Sequence, residues 1–245
     1  MLEVRFVYEY NGKPVNEYTI DTGKYKLSAL NLGATLTKII VPNKQDKLES
    51  ILLRYHDYKL YRENPYYLGA LVDVNNFRKN KKIYNYHFNC TPLENGLVFT
   101  YQTETKFIQV VYLIIDDKLI INYETNLKIH FGHVLFFNLS GNVKEDIINQ
   151  FCLIDNNQLD YTQRFKFFKH FPIMNSVKLT HENGISLIIN NITDAYLNPG
   201  TYFRQKHLVN LGKKAKKYSG LGFLIKGGQT VEYSFEIKGG IDESI

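Results

Sequence analysis

Phe107 to Ile115 is an apolar, β-branched run; Asp116-Asp117-Lys118 interrupts it, and Leu119 to Thr125 resumes the same pattern. Two such runs joined by so short a polar break close as an antiparallel hairpin, because a parallel crossover needs a dozen or more residues. Aspartate suits the break, since its side chain can hydrogen-bond nearby backbone. The same pattern recurs along the chain. Thr35 to Val41 is β-branched and stops at Pro42, with Asn43 to Lys47 as a turn. Gly96 to Thr103 alternates apolar and polar residues, as a strand with one wet face does, and Gly184 to Ile189 and Thr230 to Ile237 read as further strands. Long helical periodicity is absent; Tyr55 to Tyr61 is the one short helix expected. Many closely spaced strands and few helices predict an all-β chain, a large antiparallel sandwich or a barrel. The 19 Tyr and 16 Phe, against no Trp and 6 Pro, agree, because aromatic rings favour half-buried pleated surfaces.

The 245 residues contain no Pro- or Ser-rich linker, low-complexity segment or fixed-period repeat, so a single domain over 1–245 is expected. Met1 to Tyr10 lacks a basic segment followed by an apolar one, and no window approaches 18 apolar residues. A cytoplasmic protein without a membrane partner follows. Cys90 and Cys152 lie far apart without metal-binding or redox spacing, and a reduced pair is the default. The net charge of +6 raises the question of an anionic partner. Its two basic runs, Arg78 to Lys82 and Lys213 to Lys217, sit beside turn residues with no nucleic-acid-binding motif around them. They read as solvated loop faces, which excludes nucleic acid and leaves a phosphorylated ligand open.

Several segments, in order, resemble the galactose mutarotase (aldose 1-epimerase) family. Leu30-Asn31-Leu32-Gly33-Ala34-Thr35, running to Val41-Pro42-Asn43, is similar to the family's opening asn-x-gly-ala … val-pro-asp strand pair. Tyr61, then Tyr67-Leu68-Gly69-Ala70, resembles the tyrosine and phe-gly-ala leading into the first substrate-binding loop. Gly132-His133-Val134-Leu135-Phe136-Phe137-Asn138-Leu139-Ser140-Gly141 resembles the his-x-tyr-phe-asn-leu-ser-gly string, whose histidine is the general acid. Phe168 to Ile173 resembles the asp-his-pro-phe loop, and Ile225 to Tyr233 the final leu-x-pro-gly-glu turn and strand. The resemblance implies a mutarotase-like supersandwich with a sugar in an open cleft, and no cofactor or metal.

The departures from the pattern are equally informative. The family's gly-arg-x-ala-asn-arg loop reads Asp73-Val74-Asn75-Asn76-Phe77-Arg78, so the second arginine falls on Arg78 while the first has become Val74. The leu-his-gly-gly motif, which carries a second active-site histidine, has no counterpart between Tyr84 and Pro92. Lys169 takes the aspartate's place beside His170, and Ser219 to Leu224 passes to the final turn without the general-base glutamate.

Mutarotation requires one group to take the anomeric hydroxyl proton and another to protonate the ring oxygen, and histidine suits the acid because it titrates near neutrality. Taken alone, His133 reads as a hydrogen-bonded core residue; with the string after it, it takes the cleft position and the acid role. His130 falls on the opposite face. Glu182, in a turn, and Glu232 and Glu236, on one face of the last strand, are poor bases; Asp73 is the least implausible carboxylate. Arg78, His170, Asp73 and Asn76 are the candidate substrate-binding residues, with Tyr67, Phe136 and Tyr196 as rings for a sugar face or for the core. Two functions remain open: an aldose 1-epimerase acting on a hexose or its phosphate, and a non-catalytic sugar-binding protein that has lost its base.

Overall fold

The computed structural model describes residues 1–76, 83–142, 144–159, 169–172, 176–198, 205–208 and 219–237. Five strands form one antiparallel sheet in sequence order: β1 (Leu2–Tyr10), β2 (Lys13–Asp21), β3 (Lys26–Leu30), β4 (Thr35–Pro42) and β5 (Leu48–Ser50). The other twelve form a larger sheet. They are β6 (Leu71–Asp73), β7 (Asn89–Leu93), β8 (Gly96–Gln102), β9 (Phe107–Ile115), β10 (Lys118–Thr125) and β11 (Phe131–Phe137), followed by β12 (Phe151–Ile154), β13 (Asn157–Gln158), β14 (Lys169–Pro172), β15 (Val177–Thr180), β16 (Ile185–Asn198) and β17 (Leu221–Ile237). Their main order is β13-β12-β15-β16-β17-β10-β9-β8-β7; β11 joins β17 to β6, and β14 adds to β16. The fold is thus an all-β antiparallel sandwich, as expected.

The β9–β10 hairpin closes through Asp116 and Asp117, with Asp116 at a positive φ of 52°. The Asp117 carboxylate reaches across to the smaller sheet, accepting bonds from Lys24 Nζ at 2.7 Å and Tyr25 Oη at 2.8 Å. The expected helix at Tyr55 to Tyr61 is a single 3-10 turn, Tyr58–Arg62, capped by the Asp57 side chain. The strands expected at Gly184 to Ile189 and Thr230 to Ile237 are the ends of much longer ones. β16 and β17 pair from Ile185–Ile237 to Asn198–Gly222. The final turn expected around Gly227-Gly228 is therefore strand: β17 runs through it, and the ladder shifts register on β16 between Asn190 and Asp194. A bulge absorbs what glycine-rich sequence suggests is a turn.

Length lets β17 serve two partners. Its C-terminal half pairs with β10 and its N-terminal half with β11. Two apolar clusters result. The main one lies between the sheets, where Leu27, Leu36 and Ile39 meet Phe99, Tyr112, Leu187, Phe223 and Tyr233. The second brings Tyr55, Tyr61, Leu68, Val72 and Val74 onto Val134, Phe136 and Leu224. Strand β11 separates them. Phe131, Leu135 and Phe137 belong to the first cluster, Val134 and Phe136 to the second, and all seven of its residues are buried.

The approach of the two sheets is set at Gly69, whose N–H donates to Val134 O at 2.8 Å while its carbonyl accepts from Leu36 N at 3.0 Å. Gly69 has φ +63°, and a Cβ there would lie 1.7 Å from Leu36 O. Gly69→Ala is expected to cost at least about 3 kcal/mol in urea unfolding, because backbone must move on both sides. Gly12→Ala, with φ +70° but nothing within 4 Å of the added carbon, should cost only about 1 kcal/mol.

Candidate functional site

Side chains alternate across a strand, so the face each residue of β11 takes is fixed by its parity. His133 shares a face with Phe131, Leu135 and Phe137, and therefore points into the main core. It is 1% exposed. Its pairing partner on β6 is Leu71, also in that core, and Asp73 lies opposite Phe131 on the same side. The cleft position expected for His133 is not what the structure has.

Two tyrosines enclose the imidazole. Tyr123 Oη lies 2.7 Å from Nδ1 and Tyr112 Oη 2.7 Å from Nε2. Tyr112 also donates to the Ala34 carbonyl in the β3–β4 connection. A carbonyl can only accept, so the Tyr112 proton is committed there and its oxygen accepts from His133 Nε2–H. Nδ1 is then the acceptor for Tyr123 O–H. Protons run one way along this chain, from Tyr123 through His133 and Tyr112 to Ala34, and every polar atom in it has a partner. Burial drives the His133 pKa from 6.5 down to about 3, only partly offset by the Ala34 carbonyl, so the ring is neutral at pH 7. Burial likewise raises the Tyr112 and Tyr123 hydroxyls well above their ordinary value, and both stay protonated.

Of the other expected site residues, Asp73 and Asn76 are bonded to each other. The Asp73 carboxylate is 1% exposed and shapes its own loop, accepting from Asn75 N at 3.1 Å and Asn76 Nδ2 at 3.2 Å. Asn76 is exposed, bonded back to Asp73. Arg78 and both basic runs lie outside the described residues. Glu182 is exposed; Glu232 pairs with Lys118 at 3.2 Å and Glu236 with Lys178 at 3.1 Å. His130 is exposed, away from His133.

The opposite face of β11 carries a continuous cross-strand row. Val134 lies beside Leu224 on β17, Leu224 beside Tyr196 on β16, and Tyr196 beside His170 on β14. The row grades from buried to open: Val134 and Leu224 are covered, Tyr196 is half-buried and His170 exposed. The Tyr196 and His170 rings stand 5.1 Å apart. At the covered end Phe136 lies over Gly222, where a Cβ would be 2.2 Å from the ring, and Leu208 and Leu53 join the same cluster. A second ring pair, Tyr66 and His207, lies 5.7 Å apart with Tyr66 Oη 3.2 Å from His207 Nδ1. Tyr66 packs against the same cluster as Tyr196.

Comparison with solved structures identifies this architecture. An aldose epimerase homologue from C. elegans superposes with a TM-score of 0.76 at 12% identity, covering 91% of this chain and 99% of that one. The chain has the galactose mutarotase fold. A galactose 1-epimerase from Lactobacillus acidophilus gives 0.68 at 15% identity, with 97% and 99% covered. A galactose mutarotase-like protein from Lactobacillus casei gives 0.55 at 10%, with 90% and 99% covered. No family model matches the sequence, and no curated protein matches it.

The mutarotase string sets its histidine two residues before the tyrosine. Phe136-Phe137-Asn138 takes the tyr-phe-asn places, so the histidine's place falls on Val134, and His133 stands one residue off, on the other face. Tyr112 and Tyr123 were missed in the sequence although their signal is there: each sits in the buried register of its strand, with Val110 and Ile121 respectively.

A buried neutral histidine titrates in the unfolded chain first. As pH falls below 6.5, the unfolded state gains a proton that the folded state refuses until about 3. Stability should therefore drop by up to about 1.4 kcal/mol per pH unit across that window. Urea unfolding at pH 7, 5.5 and 4.5 measures the loss, and the His133 ring resonances should keep their neutral shifts at pH 4.5.

Proposed function

We propose that the chain is a non-catalytic, sugar-binding member of the galactose mutarotase family. The observation that carries this reading is Val134, buried in the second apolar cluster, at the position two before Phe136 that the string gives to the general acid. Ring opening needs a proton donor and an acceptor across the C1–O5 edge of the sugar, and a valine supplies neither. Val74, in place of the loop's first arginine, packs in the same apolar cluster. His133 cannot stand in, since both ring nitrogens are engaged by tyrosines and its pKa of about 3 leaves no proton to give near neutrality. His133 is on this reading a structural residue.

Support for retained binding comes from the open end of the row. A sugar site combines an apolar surface for the C–H face of the ring with a few polar groups for the hydroxyls. The Tyr196 ring, half-buried beside the exposed His170 imidazole, offers both. Solved neighbours described as an aldose epimerase homologue and a galactose 1-epimerase make a hexose the first ligand to try.

Anomer exchange of glucose and galactose, followed by polarimetry or NMR, should run at the spontaneous rate at any protein concentration. Acceleration proportional to protein would overturn the non-catalytic reading. Saturation-transfer NMR with the same sugars tests binding separately, with Tyr196→Ala expected to weaken it about tenfold. No transfer from either sugar, or an unchanged signal in Tyr196→Ala, refutes the proposed binding face.

A further inference from the structure

Each sheet of an open sandwich ends in strands whose outer backbone groups have no ladder partner, and folded proteins blunt such edges with short strands, proline or charge. Five of the six strands that end a ladder among the described residues are short. β13 has two residues, β5 and β6 have three each, β14 has four with Pro172, and β7 has five with Pro92. Strand β1 is not. It is nine residues long, has no proline or lysine, and among the described residues pairs only with β2. Its irregularity falls late, between Phe6 and Tyr8, leaving Leu2 to Phe6 as a regular stretch.

That stretch is exposed on both faces. Leu2, Val4 and Phe6, at 40%, 51% and 64% exposure, form one row, on the side whose β2 neighbours Ile20 and Tyr18 turn toward the main core. Glu3 and Arg5 form the other row, where Arg5 is half-exposed while bonded to Glu17 at 2.8 Å. An apolar row beside an open edge is a surface made for strand addition.

We propose that the occupant is a second copy of this chain, paired β1 to β1 in antiparallel fashion about a two-fold axis through Val4. Charge complementarity chooses both the copy and the register. Opposite residues in an antiparallel pair share a face. An axis at Val4 sets Glu3 against the partner's Arg5 and Arg5 against the partner's Glu3. It also sets Leu2 against the partner's Phe6, and Val4 against the partner's Val4. Moving the axis to Glu3 or to Arg5 puts like charges on each other. Moving it to Phe6 sets Glu3 against the partner's Glu9, and an axis between residues sets the apolar row against the charged one. One register alone satisfies both rows, as an isologous interface requires. The larger sheets of the two copies do not take part in this pairing, so both candidate sugar-binding faces remain separate from it.

The test is sedimentation velocity of the full chain between about 1 and 200 μM. The expected result is a concentration-dependent shift from the 28.6 kDa monomer to a species of twice that mass. Val4→Lys and Glu3→Arg should each weaken association at least tenfold, without altering the unfolding midpoint appreciably, because both side chains are exposed. Register is read by oxidative cross-linking in a Cys90→Ser background. Val4→Cys should form a disulfide with its own copy, since facing residues lie within disulfide reach. Leu2→Cys should not, because its copy lies four residues along the ladder. A monomer throughout the range overturns the proposal, as does a dimer indifferent to Val4→Lys. Equal cross-linking from Leu2→Cys overturns the two-fold at Val4.

Discussion

Strand β11 has no wet face, and the rest of the structure is organised around that constraint. A strand covered on both sides cannot place a polar side chain without finding it a partner, since an unpaired buried polar group costs roughly 1–3 kcal/mol. Parity then decides everything about a residue in it. His133 falls on the side of the sheet-to-sheet core, and Val134 on the side where Tyr55, Tyr61 and Leu68 close over the strand. A shift of one residue would exchange the two environments and expel the imidazole from its tyrosines. The register is held by β17 on one edge and β6 on the other, so the second cluster and the first are assembled together.

The Tyr123–His133–Tyr112–Ala34 chain shows how a polar residue survives in that setting. Each member supplies what the next requires: an acceptor nitrogen for one hydroxyl, a donor nitrogen for the other, and a carbonyl for the last proton. Because β10, β11 and β9 contribute one group each and the β3–β4 connection the fourth, the chain joins both sheets. It is also directional, which fixes the Nε2–H tautomer. An apolar replacement could fill the same volume, but it would not specify which tyrosine meets which strand. Glu17 plays a comparable part on the outside of the smaller sheet. Burial alone would raise its pKa, yet bonds from Thr37 and Tyr58 and the charge of Lys38 hold it below its ordinary value. It fastens the 3-10 turn, through Tyr58, to β2 and β4.

The fold was largely legible because its signals are local. The β9–β10 hairpin is written in two β-branched runs and two aspartates, and the structure reproduces it to within a residue. The extent of β16 and β17 was not legible, since Gly227-Gly228 reads as a turn and the strand expected from Gly184 stops at Ile189. Pairing along the rest of both strands carries them through as a bulge. The position of His133 was missed for a different reason. Resemblance to a motif fixes residue types over a stretch, whereas a strand assigns faces one residue at a time, so a string matched one place off changes the chemistry while leaving the fold untouched. Counting back from Phe136-Phe137-Asn138 puts the histidine's place at Val134, on the face of the second cluster. Asp73 shares the parity of Leu71 rather than of Val72 and Val74.

On the non-catalytic reading, loss of catalytic groups and gain of core go together at this face. A working acid, base and arginine clamp must stay desolvated, incompletely paired and open to substrate, each of which costs stability. Val134 and Val74 instead pack with Phe136 and Leu224 in the second cluster, apolar contact worth about 25 cal/mol for each Å² removed from water. Phe136 also lies against Gly222, a contact that any larger residue at 222 would forbid. Tyr196 packs against the edge of that cluster and stays half-buried, and His170 beside it is exposed. Catalysis needs the buried end of the row, where charge can be concentrated, whereas binding needs only a ring and a polar rim. On that reading the two requirements are separated along one cross-strand ladder, so the first can be exchanged for stability without disturbing the second.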